Sequence, residues 1–252
     1  MAMPRIDILT LFPEYFQGPF TVSMVKRAVA KKAVDLRVHD LRKWAKDKRR
    51  TADDVPYGGG AGMVMKPEPL TRALKALKRG RKKVLTLLTS PQGRVFDHAM
   101  ALRLSKEKAL LIVCGHYEGV DERVMEFVDQ EVSLGDFVLT GGEPAAAVMV
   151  DSLIRFLPGV VGDKRSVEKD SFFDGLLDYP HYTRPRDFQG RGVPEVLLSG
   201  NHAQIERWRR KESLKNTLVK RPDLFSRLSL SPEDQKLLEE ARKEVRPKGG
   251  KD

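Results

Sequence analysis

The chain has 252 residues, 40% of them hydrophobic, which is enough for one large domain or two modest ones around a buried core. Lys and Arg outnumber Asp and Glu by 46 to 35, and this net charge of +11 favours a polyanionic partner such as nucleic acid over an acidic small molecule, although a merely solvated basic surface stays an alternative. No apolar stretch approaches the roughly 20 residues of a membrane span and the first residues lack a signal peptide, so we expect a cytoplasmic protein without a membrane partner.

The first part of the chain alternates predicted strands and helices. Apolar runs predict strands at Arg5–Leu11, Val34–Val38, Lys83–Ser90, Ala109–Cys114 and Phe137–Leu139, the third ending at Pro91. Helical spacing and capping residues predict helices at Val22–Lys31, Ala99–Ser105, Asp121–Val128 and Glu143–Phe156. Strands that alternate with helices indicate an α/β fold with a mainly parallel sheet covered on both faces.

The pattern changes after Leu157. Residues 161–175 are polar and charged and are predicted to form a mobile linker. Beyond them, helices are predicted at Asn201–Lys215, Pro222–Leu228 and Pro232–Val245, the last with Ser231 as its cap. We therefore expect three parts: an α/β domain at 1–160, a linker at 161–175, and a small helical domain at 176–252 with a frayed tail after Val245.

Two glycine-rich segments follow apolar runs, Cys114-Gly-His-Tyr-Glu-Gly119 and Ser133-Leu-Gly-Asp-Phe-Val-Leu-Thr-Gly-Gly-Glu143. Glycines at strand ends let a backbone approach a flat ligand closely, so two such loops would make a slot. The chain contains neither the dinucleotide pattern G-x-G-x-x-G nor a P-loop, and a phosphate cradle is therefore disfavoured. Cys114, the single cysteine, excludes a disulfide framework and is interpreted as a buried core residue.

These segments carry a resemblance that extends over most of the chain. Tyr57-Gly-Gly-Gly-Ala-Gly-Met63, Ser90-Pro-Gln-Gly93, the two segments above, Asp170-Ser-Phe172, Pro180-His-Tyr-Thr-Arg-Pro185 and Leu198-Ser-Gly-Asn-His202 resemble, in this order, the bacterial tRNA (guanine-N1)-methyltransferase (TrmD) family. That family belongs to the SPOUT class, so the resemblance implies a trefoil knot in the C-terminal half of the α/β domain, a homodimer and tRNA as the substrate. Physical priors alone would not predict a knot.

The resemblance also implies S-adenosyl-L-methionine as the cofactor, held by the glycine-rich loops. The family's cofactor positions fall on Ser90, Pro91, Gly115, Tyr117, Glu118, Leu134, Gly135, Asp136, Phe137, Val138, Leu139, Gly141, Gly142 and Pro144. His116 stands where many relatives have Arg, and we interpret it as an exposed turn residue. No metal site is expected, and the sequence leaves open whether Mg²⁺ takes part.

Two catalytic positions are implied by the same resemblance. The base that takes the proton from guanine N1 corresponds to Asp170, and the cation that stabilises the charge on O6 corresponds to Arg155. From the sequence alone, Arg155 could equally be half of an i, i+4 ion pair with Asp151, and Asp170 could cap the following turn.

The implied contacts to the RNA lie on Gly59, Gly60, Ser171, His181, Arg184, Asn201 and Arg209. Gly59 and Gly60 would leave room for a base turned out of its stack, whereas the simpler interpretation is a flexible loop. In Arg207-Trp-Arg-Arg-Lys211 we expect Trp208 and Ile205 to form the helix's core stripe and the arginines to face phosphate. The alternatives are a ribose 2′-O-methyltransferase of the same class and a noncatalytic RNA-binding module.

Overall fold

The computed structural model describes residues 3–162 and 169–245. The chain separates into two compact units, Met1–Asp163 and Lys164–Asp252. The strands are β1 (Arg5–Thr10), β2 (Asp35–Asp40), β3 (Asp53–Asp54), β4 (Val64–Met65), β5 (Leu85–Val95), β6 (Ala109–Cys114), β7 (Gln130–Ser133), β8 (Asp187–Phe188) and β9 (Arg191–Gly192). The α-helices are α1 (Ser23–Ala30), α2 (Pro67–Lys78), α3 (His98–Leu104), α4 (Glu143–Ile154), α5 (Glu195–Leu198), α6 (His202–Lys220), α7 (Pro222–Phe225) and α8 (Pro232–Val245).

The first unit is built on a five-stranded sheet of order β2-β1-β6-β5-β7 in which every neighbouring pair is parallel. This confirms the predicted α/β class and mainly parallel sheet. One core cluster includes side chains of α1, α3 and α4, and a second includes side chains of α2, so the sheet is covered on both faces as expected for parallel strands. The carboxyl ends of β5, β6 and β7 thus emerge side by side.

The predicted strand at Phe137–Leu139 is wrong. The strand at this point is β7, which ends at Ser133, and Phe137–Leu139 are part of the loop after it. The Ser133 hydroxyl donates to the carbonyl of Gly135 and accepts from its amide, both at 3.1 Å, and Gly135 takes a φ of +144°. This turn ends the strand before the apolar run begins.

The third long strand, predicted to be broken by Pro91-Gln-Gly93, does have its ladder interrupted there, but the predicted end at Ser90 is wrong. β5 continues to Val95, and its pairing with β7 shifts register between Thr89 and Arg94, so both of these residues face Val132. The residues between them bulge out of the ladder, as often happens next to binding sites. A Cβ on Gly93 would lie 2.7 Å from the Glu131 carbonyl oxygen, so only glycine lets the bulged strand rejoin β7.

Other predicted elements are confirmed within a few residues, while α2 was not predicted. Asp121 caps a 3-10 helix at Glu122–Phe127, and the amide of Asp234 donates to the Ser231 hydroxyl at the start of α8. Helix α2 begins with Pro67 in its first turn and buries Leu70, Ala73, Leu74 and Leu77, a helical spacing that the sequence does show. The tail after Val245 lies outside the described residues, as does part of the predicted linker.

The second unit contains β8, β9 and the helices α5 to α8. Its core includes the buried Leu176, Leu214 and Leu237, packed by Phe225, Leu228 and Leu230. The predicted core stripe of Ile205 and Trp208 is wrong, because both are only half-buried and neither belongs to this cluster. Salt bridges within the unit hold three arginines of α6: Arg207 with Glu240, Arg209 with Glu206, and Arg210 with both Asp234 and Asp174.

Asp7 on β1 is a fully buried carboxylate with three basic partners. It accepts hydrogen bonds from Arg5 at 2.8 Å and Arg81 at 2.7 Å, and lies 2.6 Å from His39 Nε2. Burial raises the pKa of Asp7, but the hydrogen bonds from His39, Arg5 and Arg81 outweigh it and hold that pKa well below its usual range. A carboxylate of this kind stabilises the fold while it is ionised.

We predict that Asp7→Asn lowers the free energy of unfolding at pH 7 by about 3 kcal/mol, because it leaves the half-buried Arg5 and Arg81 without their counter-charge. Since the folded pKa is depressed, this contribution is present above the unfolded pKa of about 3.9 and is lost as the pH falls further. Urea unfolding of both proteins between pH 7 and pH 3 should therefore show a shrinking difference. Asp54→Asn, at an exposed pair with Lys66, is the matched control. A pH-independent difference would contradict this.

Candidate functional site

A cavity of about 310 Å³ lies in the first unit beside the bulge of β5 and the carboxyl ends of β6 and β7. The bulge, the residues after β6 and β7, and the first turn of α4 form its walls. Ligands of open parallel sheets bind at this edge, and the volume is within the usual range of small-molecule sites.

Most of the predicted cofactor residues are brought together around this cavity. The lining includes Ser90, Pro91, Gly115, Tyr117, Glu118, Leu134, Phe137, Val138, Leu139, Gly141 and Gly142. Gly135, Asp136 and Pro144 do not line it, because Gly135 and Asp136 form the turn after β7 and Pro144 is in the first turn of α4. Ser90 and Pro91 reach the cavity because they sit in the bulge of β5.

Three backbone segments meet at the floor of the cavity with no space for side chains. The amide of Gly142 donates to the Gly115 carbonyl at 2.7 Å, and the amide of Gly115 donates to the Thr89 hydroxyl at 3.1 Å. A Cβ on Gly142 would overlap the Thr89 hydroxyl and lie 2.8 Å from the Gly115 nitrogen, whereas a Cβ on Gly115 would lie 2.8 Å from the Thr89 carbonyl oxygen. Glycine at these two positions therefore allows the backbone segments to pack closely together.

A buried carboxylate lies directly behind this contact. Glu143, the first residue of α4, is 4% exposed, and its Oε1 accepts a hydrogen bond of 2.6 Å from the hydroxyl of Thr10 at the end of β1. Its Oε2 lies 3.8 Å from His116 Nδ1, a buried nitrogen with no hydrogen-bond partner in the described part of the chain. Glu143 thus joins the first turn of α4 to β1 beneath the cavity.

The interpretation of His116 as an exposed turn residue is wrong. Its side chain is 19% exposed, and its backbone forms an antiparallel bridge with Gly141 that holds the two glycine-rich loops together. The imidazole ring packs between Phe12, at 4.9 Å, and Tyr117, at 4.6 Å. Tyr117 itself takes a φ of +59°, and this left-handed conformation turns the chain at the edge of the cavity.

One wall of the cavity consists of exposed apolar side chains. Phe137, Val138 and Leu139 are 55%, 85% and 40% exposed, although they are large and hydrophobic. Apolar groups left open to solvent beside a cavity are typical of a site that binds an apolar or flat ligand.

The prediction that Cys114 is a core residue is confirmed. The thiol is fully buried at the end of β6, and burial, with the nearby Glu143 carboxylate as a second cause, raises the pKa of Cys114 well above its usual value. A neutral thiol in this position is a poor nucleophile.

The two predicted catalytic residues lie in different units. Arg155 follows the last residue of α4 and is exposed, and Asp170 is half-buried in a turn at the beginning of the second unit. The residue before it, Lys169, forms a salt bridge of 2.9 Å with Glu206 on α6, and Glu206 also accepts from Arg209. The turn that carries Asp170 is thus attached to α6.

The predicted RNA contacts separate into three groups. Gly59 and Gly60 take φ values of +78° and +121° in an exposed loop, where nothing lies within 4 Å of an added Cβ, so their backbone conformation alone requires glycine. Ser171 and Asn201 have local structural roles, accepting from the amides of Asp178 and Gln204. The remaining three, His181, Arg184 and Arg209, line a groove in the second unit.

The sequence argument missed Thr89, which lines the cavity, and the buried Glu143 behind it. Thr89 appears in the sequence only as one polar residue within an apolar strand, and Glu143 only as the start of a helix. Their partners Thr10 and Gly115 are distant in the sequence, so their contacts cannot be derived from spacing. Within 3–162 and 169–245, no cluster of three His, Cys, Asp or Glu residues could hold a metal ion, and no helix is long and apolar enough to cross a bilayer.

Comparison with known proteins places this chain in a family. Residues 4–227 match the family described as tRNA (Guanine-1)-methyltransferase TrmD. The chain is 54% identical to a protein of Dictyoglomus turgidum over 97% of this chain and 99% of the relative, and 55% identical to one of Geobacter metallireducens over 93% and 96%. A protein of Dehalococcoides mccartyi is 53% identical over 97% and 99%. All three are named tRNA (guanine-N(1)-)-methyltransferase.

We predict that Gly142→Ala destabilises the first unit by at least about 1–3 kcal/mol, because its methyl group would have to separate the Thr89 side chain from the end of β6. Gly18→Ala is the matched control, since Gly18 has a φ of −70° and nothing within 4 Å of an added Cβ. Thermal unfolding followed by calorimetry compares the two. Equal melting temperatures for both variants would show that the strand ends are not tightly closed.

Proposed function

The chain belongs to the tRNA (guanine-1)-methyltransferase TrmD family, and from this premise we propose that it methylates N1 of the guanine at tRNA position 37, immediately 3′ of the anticodon, in the cytoplasm. The relatives' shared name supports guanine N1 of tRNA as the target. The observation that carries the proposal is the assembly of eleven predicted cofactor positions around one cavity at the carboxyl edge of the sheet.

We propose S-adenosyl-L-methionine as the ligand of this cavity, where it would supply the methyl group. The residues present fit it: Leu134, Val138 and Leu139 offer an apolar wall for an adenine ring. The loops held by Gly115 and Gly142 offer backbone groups, and the described lining contains carboxylates such as Glu118 but neither Lys nor Arg, which suits a planar ligand without phosphates.

For the chemistry we propose that Asp170 acts as the general base and Arg155 as the stabilising cation. Guanine N1 carries a proton, which must leave as the new bond to carbon forms at N1. The Asp170 carboxylate accepts that proton, and negative charge spreads to O6, where the Arg155 guanidinium stabilises it. Because N1 lies on the Watson–Crick edge, the base must leave its pair or stack. We place the extruded base beside the loop of Gly59 and Gly60, where no side chain would obstruct it.

We further propose a homodimer with a trefoil knot in the first unit, in which the segment bearing Asp170 closes over the partner's cofactor site when tRNA binds. A general base on a turn in one unit and a cation on α4 in the other need such a closure to meet at one guanine. Ser171, His181, Arg184, Asn201 and Arg209 belong to the tRNA-binding part of this proposal. The +11 net charge supports a polyanionic substrate.

The test is a methylation assay on unmodified total tRNA with S-adenosyl-L-methionine, followed by nuclease digestion and identification of the product by mass. We expect 1-methylguanosine, and an RNA in which G37 is replaced should not be methylated. A 2′-O-methylated nucleoside would indicate a ribose methyltransferase, and RNA binding without cofactor binding in calorimetry would indicate a noncatalytic module.

We predict that Asp170→Asn lowers the single-turnover rate at saturating tRNA and cofactor by about a hundredfold or more, because asparagine keeps the size of the side chain but cannot accept a proton. The affinities for tRNA and cofactor should change little. Asp174→Asn removes another carboxylate from the same segment and serves as the control. It should lower the single-turnover rate much less. If Asp170→Asn reacts at the parent rate, Asp170 only caps its turn and another base must act.

A further inference from the structure

The second unit contains a groove of about 350 Å³ that the proposed chemistry does not use. Its walls are the segment 179–186, residues at the end of α5, and the side chains of Ile205, Trp208 and Arg209 on α6. The volume is that of a small-molecule site, although the walls are far more polar and aromatic than a core defect would be.

The charge of this groove has one sign. Arg184, Arg186 and Arg209 line it, and no carboxylate is among the described residues of the lining. Arg186 donates to Glu195 and Arg209 to Glu206, so these two charges are largely balanced from outside the groove. Arg184 is exposed and has no hydrogen-bond or ion-pair partner within the described ranges 3–162 and 169–245. An unbalanced guanidinium here attracts an anion.

Aromatic rings line the same groove. The Tyr182 ring is 49% exposed, with its centroid 6.4 Å from that of Trp208. The neighbouring Tyr179 ring is covered by the Arg209 guanidinium at 4.9 Å and lies 4.7 Å from the His181 ring. The ring of Tyr182 is therefore accessible to a ligand, whereas the ring of Tyr179 is in contact with Arg209 and His181.

An open aromatic ring next to an unpaired arginine is the arrangement that binds a nucleobase and its phosphate together. The base must be unpaired, since the faces of a base inside a duplex are covered by its neighbours. We propose that this groove binds one unpaired nucleotide of the RNA substrate, with its base stacked on Tyr182 and its phosphate held by Arg184. The identity of the RNA as substrate rests on the proposed function, whereas the binding of a nucleotide does not.

The test uses the full chain carrying Trp44→Phe, which leaves Trp208 as the single tryptophan. Titration with a short single-stranded oligoadenylate should quench the Trp208 emission, and a duplex of the same length should quench it much less. Tyr182→Leu should weaken binding roughly five- to a hundredfold. Arg184→Gln should weaken binding and lower the slope of log K against log salt by about 0.7, as expected for one lost phosphate contact.

Two substitutions in the same unit are matched controls. Phe188→Leu removes an aromatic ring that is 61% exposed but lies outside the groove, and Arg227→Gln removes an exposed cation outside it. Both should bind the oligonucleotide like the parent. In the methylation assay, Tyr182→Leu should raise KM for tRNA more than it lowers kcat, whereas a merely destabilised unit would lose activity together with its melting temperature.

The possible outcomes separate the groove proposal from the proposed function. If the chain methylates guanine N1 but oligoadenylate leaves Trp208 unquenched, the groove proposal fails and the proposed function stands. If the groove binds RNA but no methylation occurs, the proposed function fails and the groove proposal stands. If Arg184→Gln weakens oligonucleotide binding but Tyr182→Leu does not, the groove contacts only the phosphate and no base stacks on Tyr182. Quenching that depends on protein concentration without RNA would assign the groove to a second copy of the chain.

Discussion

The cavity depends on one close contact, in which the Gly142 amide meets the Gly115 carbonyl at the end of β6 while the Gly115 amide meets the Thr89 hydroxyl. These bonds satisfy backbone groups that the sheet leaves unpaired where its strands end. Because no Cβ fits at Gly142, the loops after two strands and the first turn of α4 are held at backbone distance. The apolar side chains of the loop after β7 then remain outside the core, where they can face a ligand.

Buried charge is used differently at the two ends of the sheet. Asp7, on β1, is surrounded by Arg5, His39 and Arg81. This arrangement stabilises the fold, and both carboxylate oxygens are occupied by these partners. At the carboxyl end of the same strand, Glu143 accepts a hydrogen bond from the Thr10 hydroxyl, with His116 nearby. The cavity floor is therefore polar, and the reactive charges of the proposed mechanism come from exposed Arg155 after α4 and half-buried Asp170 in the second unit.

The sequence predicted the parallel α/β fold because hydrophobic periodicity and capping residues are local signals. It failed where contacts between distant residues decide the structure. Phe137–Leu139 have the composition of a buried strand, yet a serine-glycine turn places them beside the cavity, and β5 continues through Pro91 because Gly93 lets it rejoin β7. Thr89, Glu143 and the environment of His116 were missed for the same reason. Most of the cofactor positions that the family resemblance indicated do line the cavity, since matched positions carry three-dimensional information that spacing lacks.

The buried thiol of Cys114 has a practical consequence. It is the single cysteine of the chain, it has no accessible surface, and its raised pKa keeps it protonated near neutral pH. Maleimides and similar reagents need an accessible thiolate, so they should leave the native folded protein unlabelled. One cysteine introduced at an exposed position of each unit can then carry a fluorophore or spin label without first removing the natural cysteine. The distance between the two units, and its change when RNA binds, thereby becomes measurable in an otherwise unaltered chain.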